Sequence, residues 1–210
     1  MKKLLLTIAA ILMLGTVATN AQTKTTELMI RGGFATNQFI GDDYDADGFG
    51  MNPGYNVGLE LNNFFYKSVY WNTGLLFGCR GYKYEVELNK NNKTTTRFRA
   101  HNFQIPLTIG YRFDLGDGLA LDGRIGGFFS TDLAANYKNT VEVMGEENTK
   151  KEKITDWDHY NRCDGGLLVG IGLWINNINL DFAYQRGFAE RIDGMEGGAS
   201  NFLIRLGYAF

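Results

Sequence analysis

From His101 to Phe113 the chain reads HNFQIPLTIGYRF, and every second residue is apolar. Phe103, Ile105, Leu107, Ile109, Tyr111 and Phe113 fall on one side, and Asn102, Gln104, Pro106, Thr108, Gly110 and Arg112 on the other. A period of two sends successive side chains to opposite faces of a β-strand, so this stretch has one unbroken apolar face and one polar, small or charged face. Two environments satisfy such a strand. In a soluble sandwich the apolar face meets a core and the polar face meets water. In a membrane barrel the apolar face meets lipid and the polar face turns inward.

The rest of the chain decides between them. The same alternation predicts strands near residues 27–34, 54–62, 69–87, 119–131, 162–175, 178–188 and 202–210, besides the one ending at Phe113. Their links run long, short, long, short, long, short, long. Residues 35–53 and 132–160 read as the longest loops, and Asn176-Asn177 as a two-residue type I′ turn, because Asn tolerates positive φ. Outer-membrane barrels have short periplasmic turns, long external loops and both termini on the periplasmic side. The prediction is therefore an all-β, eight-stranded, antiparallel, up-and-down transmembrane β-barrel in a bacterial outer membrane, which also leaves no sheet edge unpaired.

The inward phase sharpens this. Arg31, Arg80, Arg112, Arg124 and Arg205 share it with Glu60, Asp122, Asp164 and Asp181. Such charges in a sandwich core are costly unless paired. An eight-stranded barrel has an interior just wide enough for side chains to fill. The near-balanced set predicts an ion-paired, side-chain-filled interior instead of a conducting pore.

Finer expectations follow for the hairpin that ends at Phe113. Pairing residues whose numbers sum to 184 sets Trp71 beside Phe113, Phe77 beside Leu107, Glu85 beside Arg99 and Glu87 beside Arg97, with His101 opposite Lys83. Pro106 lacks a ladder donor and predicts a bulge. Trp71, Trp174 and the strand-end Phe and Tyr residues read as an interfacial girdle. Phe210 ends the sequence on an aromatic residue, a feature that suits recognition by outer-membrane assembly machinery.

Residues 1–21 read as a signal peptide: Lys2 and Lys3, an apolar run over Leu4–Val17, and Thr19-Asn20-Ala21 before Gln22 as a cleavage site. Residues 22–210 then form one barrel domain. No other apolar run reaches the roughly 18 residues of a spanning helix. The 27 Gly, 15 Phe and 11 Tyr against 2 Pro suit close-packed strands with aromatic edges. The net charge of −2 becomes −4 once Lys2 and Lys3 are removed, which gives no electrostatic case for nucleic acid.

The stretch NFQIPLTIGYRF resembles the Y-x-x-I-P-L-L-x-x-Y-x-F strand of the PorT-like outer-membrane β-barrel domain family of Bacteroidota. GRIGGFFS (Gly123–Ser130) and GGLLVGIGLWINNINLDFAYQRGF (Gly165–Phe188) are similar to its later strands. The resemblance implies an eight-stranded outer-membrane barrel. One member of that family belongs to the type IX secretion apparatus, so envelope or secretion-system proteins join outer-membrane lipid as expected partners. The family carries no functional residues to transfer, proline at the position of Pro106 excepted as a structural match.

Few residues carry chemistry. Asp43, Asp45, Asp47 and Gly48 form D-x-D-x-D-G, the first half of a calcium loop, but the twelfth position is Gly54 instead of a bidentate Glu. A solvated acidic loop is the plainer reading, and calcium is the one cofactor to test. Cys79 and Cys163 both fall in the outward phase of non-neighbouring strands, which favours free thiols, although an oxidising compartment permits a disulfide. The predicted register pairs no Ser with His101 or His159. A non-enzymatic barrel that is structural or binds a partner through its external loops or rim is therefore expected. The alternatives are a small barrel enzyme acting on lipid and a lipocalin-like carrier of a hydrophobic ligand.

Overall fold

A computed structural model describes residues 25–40, 49–89, 92–143, 146–155, 159–190 and 197–210. The signal peptide expected over 1–21 and the acidic run Asp43, Asp45 and Asp47 lie outside these residues. Among the described residues ten strands form one antiparallel sheet: β1 (Thr26–Ile40), β2 (Phe49–Gly50), β3 (Asn52–Tyr66), β4 (Val69–Asn89), β5 (Asn92–Gly116), β6 (Leu119–Val143), β7 (Glu146–Lys153), β8 (Cys163–Ile175), β9 (Ile178–Gly187) and β10 (Gly198–Ala209). Eight of them close a ring in the order β1-β3-β4-β5-β6-β8-β9-β10. The seam runs between β1 and β10, from Met29 opposite Ala209 to Ile40 opposite Gly198. The short β2 adds to β4, and β7 adds to β6.

The outer wall is apolar because it faces lipid. Ile125 is 62% exposed, Leu107 59% and Leu206 61%, and they sit among Leu28, Ile30, Leu59, Leu121, Val169, Ile171, Phe182 and Ile204. A continuous exposed band of this size has no soluble explanation. Tight turns at residues 67–68, 117–118 and 176–177 lie at one end of the ring. Asp117 (φ 54°) and Gly118 (φ 76°) both take the left-handed region that a type I′ turn requires. At 176–177 only Asn176 does (φ 54°), so the expected type I′ turn is not formed there.

The β4–β5 register differs from the expected one. Paired residues sum to 180: Trp71 meets Ile109, Phe77 meets Phe103, and His101 meets Cys79 instead of Lys83. The 184 register would satisfy Glu85–Arg99 and Glu87–Arg97 on the water-facing side, where an ion pair contributes about 0–1 kcal/mol. The 180 register pairs Tyr82 with Phe98, both buried, with stacked rings 5.5 Å apart. Buried aromatic packing outweighs exposed charge pairing. Pro106 makes no bulge. It pairs with Phe128 on β6, and on the β4 side the ladder skips from Thr73–Leu107 to Leu76–Gln104 with the register kept.

The two long loops are also shorter than expected. β1 extends to Ile40 and β3 begins at Asn52. β6 extends to Val143 and folds back as β7. A bulge explains why the sequence pattern breaks near Thr131. Asn102 pairs with Asp132, but His101 pairs with Ala134, leaving Leu133 extra. One extra residue exchanges odd and even positions. Below it the even-numbered Asp122 and Arg124 point inward; above it the odd-numbered Ala135 does.

Candidate functional site

The inward side chains form two charged layers separated by one of mixed apolar and amide side chains, in which Gln104 and Gln185 pair in register with Leu76 and Leu168. In the lower layer Arg31 donates to Glu60 at 2.5 Å and to Asn179 at 2.9 Å. Arg205 reaches Asp181 at 2.7 Å and Glu60 at 3.2 Å. Arg124 binds Asp181 and lies 3.8 Å from Asp122. Asn72 donates to Glu60 at 3.1 Å. All three arginines and all three carboxylates are buried. In the upper layer Arg80 bridges Asp132 at 2.9 Å and Asp164 at 3.0 Å, and the Tyr160 hydroxyl donates to Asp132.

Between the layers, Leu76 lies between Arg80 and Asn72 along β4, and Leu168 between Asp164 and Trp174 along β8. Leu203, Ala35 and Ala183 pack together in the same zone, each on the upper side of Arg205, Arg31 and Asp181 respectively. The charges therefore stack as two separate sets, three arginines with three carboxylates below and one arginine with two carboxylates above.

Every inward charge expected from the alternation is found inward, with one difference of setting. Arg112 stands at the turn end, outside both layers. It grips Glu27 with two bonds of 2.8 and 2.9 Å. Its guanidinium lies 3.8 Å from the centre of the Trp174 ring and 4.9 Å from that of Phe64. Trp174 is thus not part of a lipid girdle. It is buried, its neighbours Leu173 and Ile175 take the outward phase, and its indole N–H donates to Asp122 at 3.0 Å. Tyr70 donates to the same oxygen at 2.9 Å. Together they close the lower mouth above an open depression of about 390 Å³ lined by Phe64, Lys67, Asp114 and Asn177.

Replacing Arg112 with Lys removes the two-pronged bond and the flat stacking while keeping the charge. The variant is expected to lose about 1–2 kcal/mol in urea unfolding, with Trp fluorescence shifted to the red as water reaches Trp174. Unchanged emission and an unchanged midpoint would show that Arg112 does not seal this mouth.

Above the lipid-facing band the pattern inverts. The inward residues become apolar: Phe39, Tyr82, Phe98, Ala100, Ala135, Ile154, Tyr160 and Ala199 form one core cluster. The Phe39 ring lies 5.1 Å from Tyr82 and 5.7 Å from Phe98. The outward residues become polar, with Arg97 and Arg99 exposed and Lys138 half-buried. Here the outer solvent is water, so the strands adopt the usual apolar-in arrangement. The upper parts of β4, β5 and β6 with β7 form a raised four-stranded sheet whose inner face caps the barrel. On its outer face Glu85 takes bonds from Lys83 (2.5 Å) and Lys93 (3.0 Å), which hold its carboxyl down at about 2.

Both cysteines are free. Cys163 is exposed, but Cys79 is buried although it points outward. Its register neighbours Tyr55 and His101 lie on either side, and the Tyr55 hydroxyl and His101 Nδ1 meet at 3.1 Å across it. Asp132 and Tyr160, expected in the long loop over 132–160, and Trp174, expected in a lipid girdle, join the inward Tyr70 as site residues that the expected inward charges do not include. Asp132 carried a usable signal, because it continues the even-numbered inward series of β6. Among the described residues, no group of three or more His, Cys, Asp or Glu is arranged to hold a metal ion.

Residues 20–193 match a family model described as outer membrane protein beta-barrel domain. Solved structures with similar chains include Neisserial surface protein A (11% identity, TM-score 0.46, covering 87% of this chain and 97% of that one). Another is OprG from Pseudomonas aeruginosa (13%, 0.39, covering 89% and 96%). A third is Ail of Yersinia pestis in complex with the heparin analogue sucrose octasulfate (16%, 0.38, covering 88% and 99%). No curated protein matches the chain.

Proposed function

The chain belongs to the outer membrane protein beta-barrel domain family, and from that premise we propose that it is a non-enzymatic, non-conducting membrane anchor that presents its raised sheet to a partner outside the cell. The carrying observation is the division of labour along β4, β5 and β6. Their lower halves enclose two ion-paired layers with buried, closely packed side chains between them, and their upper halves stand clear of the lipid-facing band. Among the described residues, such an interior shows neither a water-filled path nor the apolar cavity that a lipocalin-like carrier needs.

In this reading the raised sheet is external and both termini are periplasmic. The short turns at 67–68, 117–118 and 176–177 support that orientation. Residues 1–21 act as the signal peptide. The PorT-like resemblance of His101–Phe113 supports an origin in Bacteroidota and an accessory role beside envelope or secretion-system proteins. Asp43, Asp45 and Asp47 stay as a calcium candidate on sequence grounds alone, and calorimetry without heat at millimolar calcium removes it.

Two measurements test the anchor. In planar bilayers the purified protein is expected to give no steady conductance; stable open steps would overturn the filled-barrel reading. On intact cells a membrane-impermeant lysine reagent is expected to label Lys138 and Lys151 but not Lys67. The opposite pattern would invert the orientation.

A further inference from the structure

The outer face of the raised sheet carries a row of like charges. In register, Lys83 on β4 faces Arg97 on β5, Arg97 faces Lys138 on β6, and Lys138 faces Lys151 on β7. Directly opposed like charges destabilise a sheet. Lys83 is neutralised by Glu85. Arg97, Lys138 and Lys151 make no ion pair among the described residues, and Arg99 lies in the next row below. A protein with a net charge of −2 thus concentrates unpaired cations on a single face.

Beside this row runs one of hydroxyls. Thr95 faces Thr140, and Thr140 faces Thr149, with the last two hydroxyl oxygens 3.1 Å apart. These rows line a trough of about 300 Å³, whose far side beyond the threonines carries Lys93 in register with Glu142 and Glu147, so the anion-binding side is the Arg97–Lys138 row. Strands lie about 4.8 Å apart, so the four cations span roughly 14 Å across the sheet. On β5, Arg97 stands six residues beyond the lipid-facing Phe103, roughly 20 Å along the strand.

We infer that this row is a binding site for a linear anionic polysaccharide lying across β5, β6 and β7. A line of cations on an open face fits a polymer with repeated charges better than one compact anion. The adjacent hydroxyl row fits sugar hydroxyls. The height above the apolar band places the row beyond lipid headgroups. The inference names the partner class for the raised sheet and rests on its external placement.

The test uses the full chain in nanodiscs of zwitterionic lipid, with dextran sulfate, uncharged dextran and single-stranded DNA of matched charge as probes. Dextran sulfate is expected to bind, with an affinity that falls steeply with salt, and uncharged dextran is not. The R97Q/K138Q/K151Q variant is expected to lose about 30-fold or more in affinity at 0.1 M salt and to lower the salt slope by about three. Its heat-modifiable gel migration should match the parent's, and K67Q, at the opposite end, should bind like the parent. T95V/T140V should weaken dextran sulfate several-fold and leave DNA unchanged. Parental affinity in the triple variant, or DNA binding as tight as dextran sulfate, would overturn the assignment. The purified protein reads the row whatever its membrane side, whereas lysine labelling on cells reads the side, so the two failures are distinguishable.

Discussion

Asp181→Asn is expected to cost about 3–5 kcal/mol of stability, the range for removing one partner of a buried ion network. Asp181 accepts from Arg205 through two nitrogens, at 2.8 and 2.7 Å, and from Arg124, and it lies 3.9 Å from Arg31. It has no exposed surface. The lower layer balances three arginines against three carboxylates, so an amide at this position leaves a full positive charge without a counterion. It also turns N–H donors toward guanidinium groups that are donors themselves.

The loss should appear as a lower urea midpoint for the protein in lipid vesicles with an unchanged slope. A double-mutant cycle with Arg205→Met should recover part of it, with a coupling of about 1–3 kcal/mol, because the second change removes the orphaned charge. A single-variant loss below about 1 kcal/mol would mean that water solvates these charges. The closed-interior reading would then fail with it.

Gly33→Val should prevent clean closure of the ring. Gly33 pairs with Arg205 across the β1–β10 seam. A Cβ on Gly33 would lie 2.1 Å from the carbonyl oxygen of Ile204 and 2.6 Å from the Cα of Arg205. Both are backbone atoms, so no rotamer change relieves the contact. The cost is expected to be about 3 kcal/mol or more, at or beyond the upper end of ordinary overpacking. The readout is the fraction of chain that reaches the fast-migrating, heat-modifiable form after insertion into vesicles. Gly123→Val is the control. Nothing lies within 4 Å of its Cβ position, so that variant should assemble normally. Equal assembly of the two would show that β1 can shift at the seam.

Much of the fold is legible in the alternation. The same odd or even positions keep one face through each lipid-crossing strand, so Arg31, Glu60, Arg124, Asp181 and Arg205 could be placed inside before any pairing was known. The raised sheet is poorly legible in the sequence for two physical reasons. The bulge at Leu133 exchanges the phase of β6, so a strand of 25 residues looks like a strand followed by a loop. Above the lipid the meaning of the faces also reverses, because water replaces hydrocarbon outside.

Trp174 shows how residue type misleads. Trp commonly sits at membrane interfaces, but its inward phase and the acceptor on Asp122 take it into the barrel. The β4–β5 register failed differently: charge pairing visible in the sequence was weaker than the burial of Tyr82 against Phe98.

What the sequence by itself determined is which side chains face in and which face out across the lipid, because that depends on local strand geometry and the solvent each face meets. Only the tertiary structure decided which carboxylate each arginine binds, how the two charge layers separate, and that Arg97, Lys138 and Lys151 line up in one row. Those follow from register, and register in a closed ring is set by all eight strands together, so no single stretch of the chain contains it.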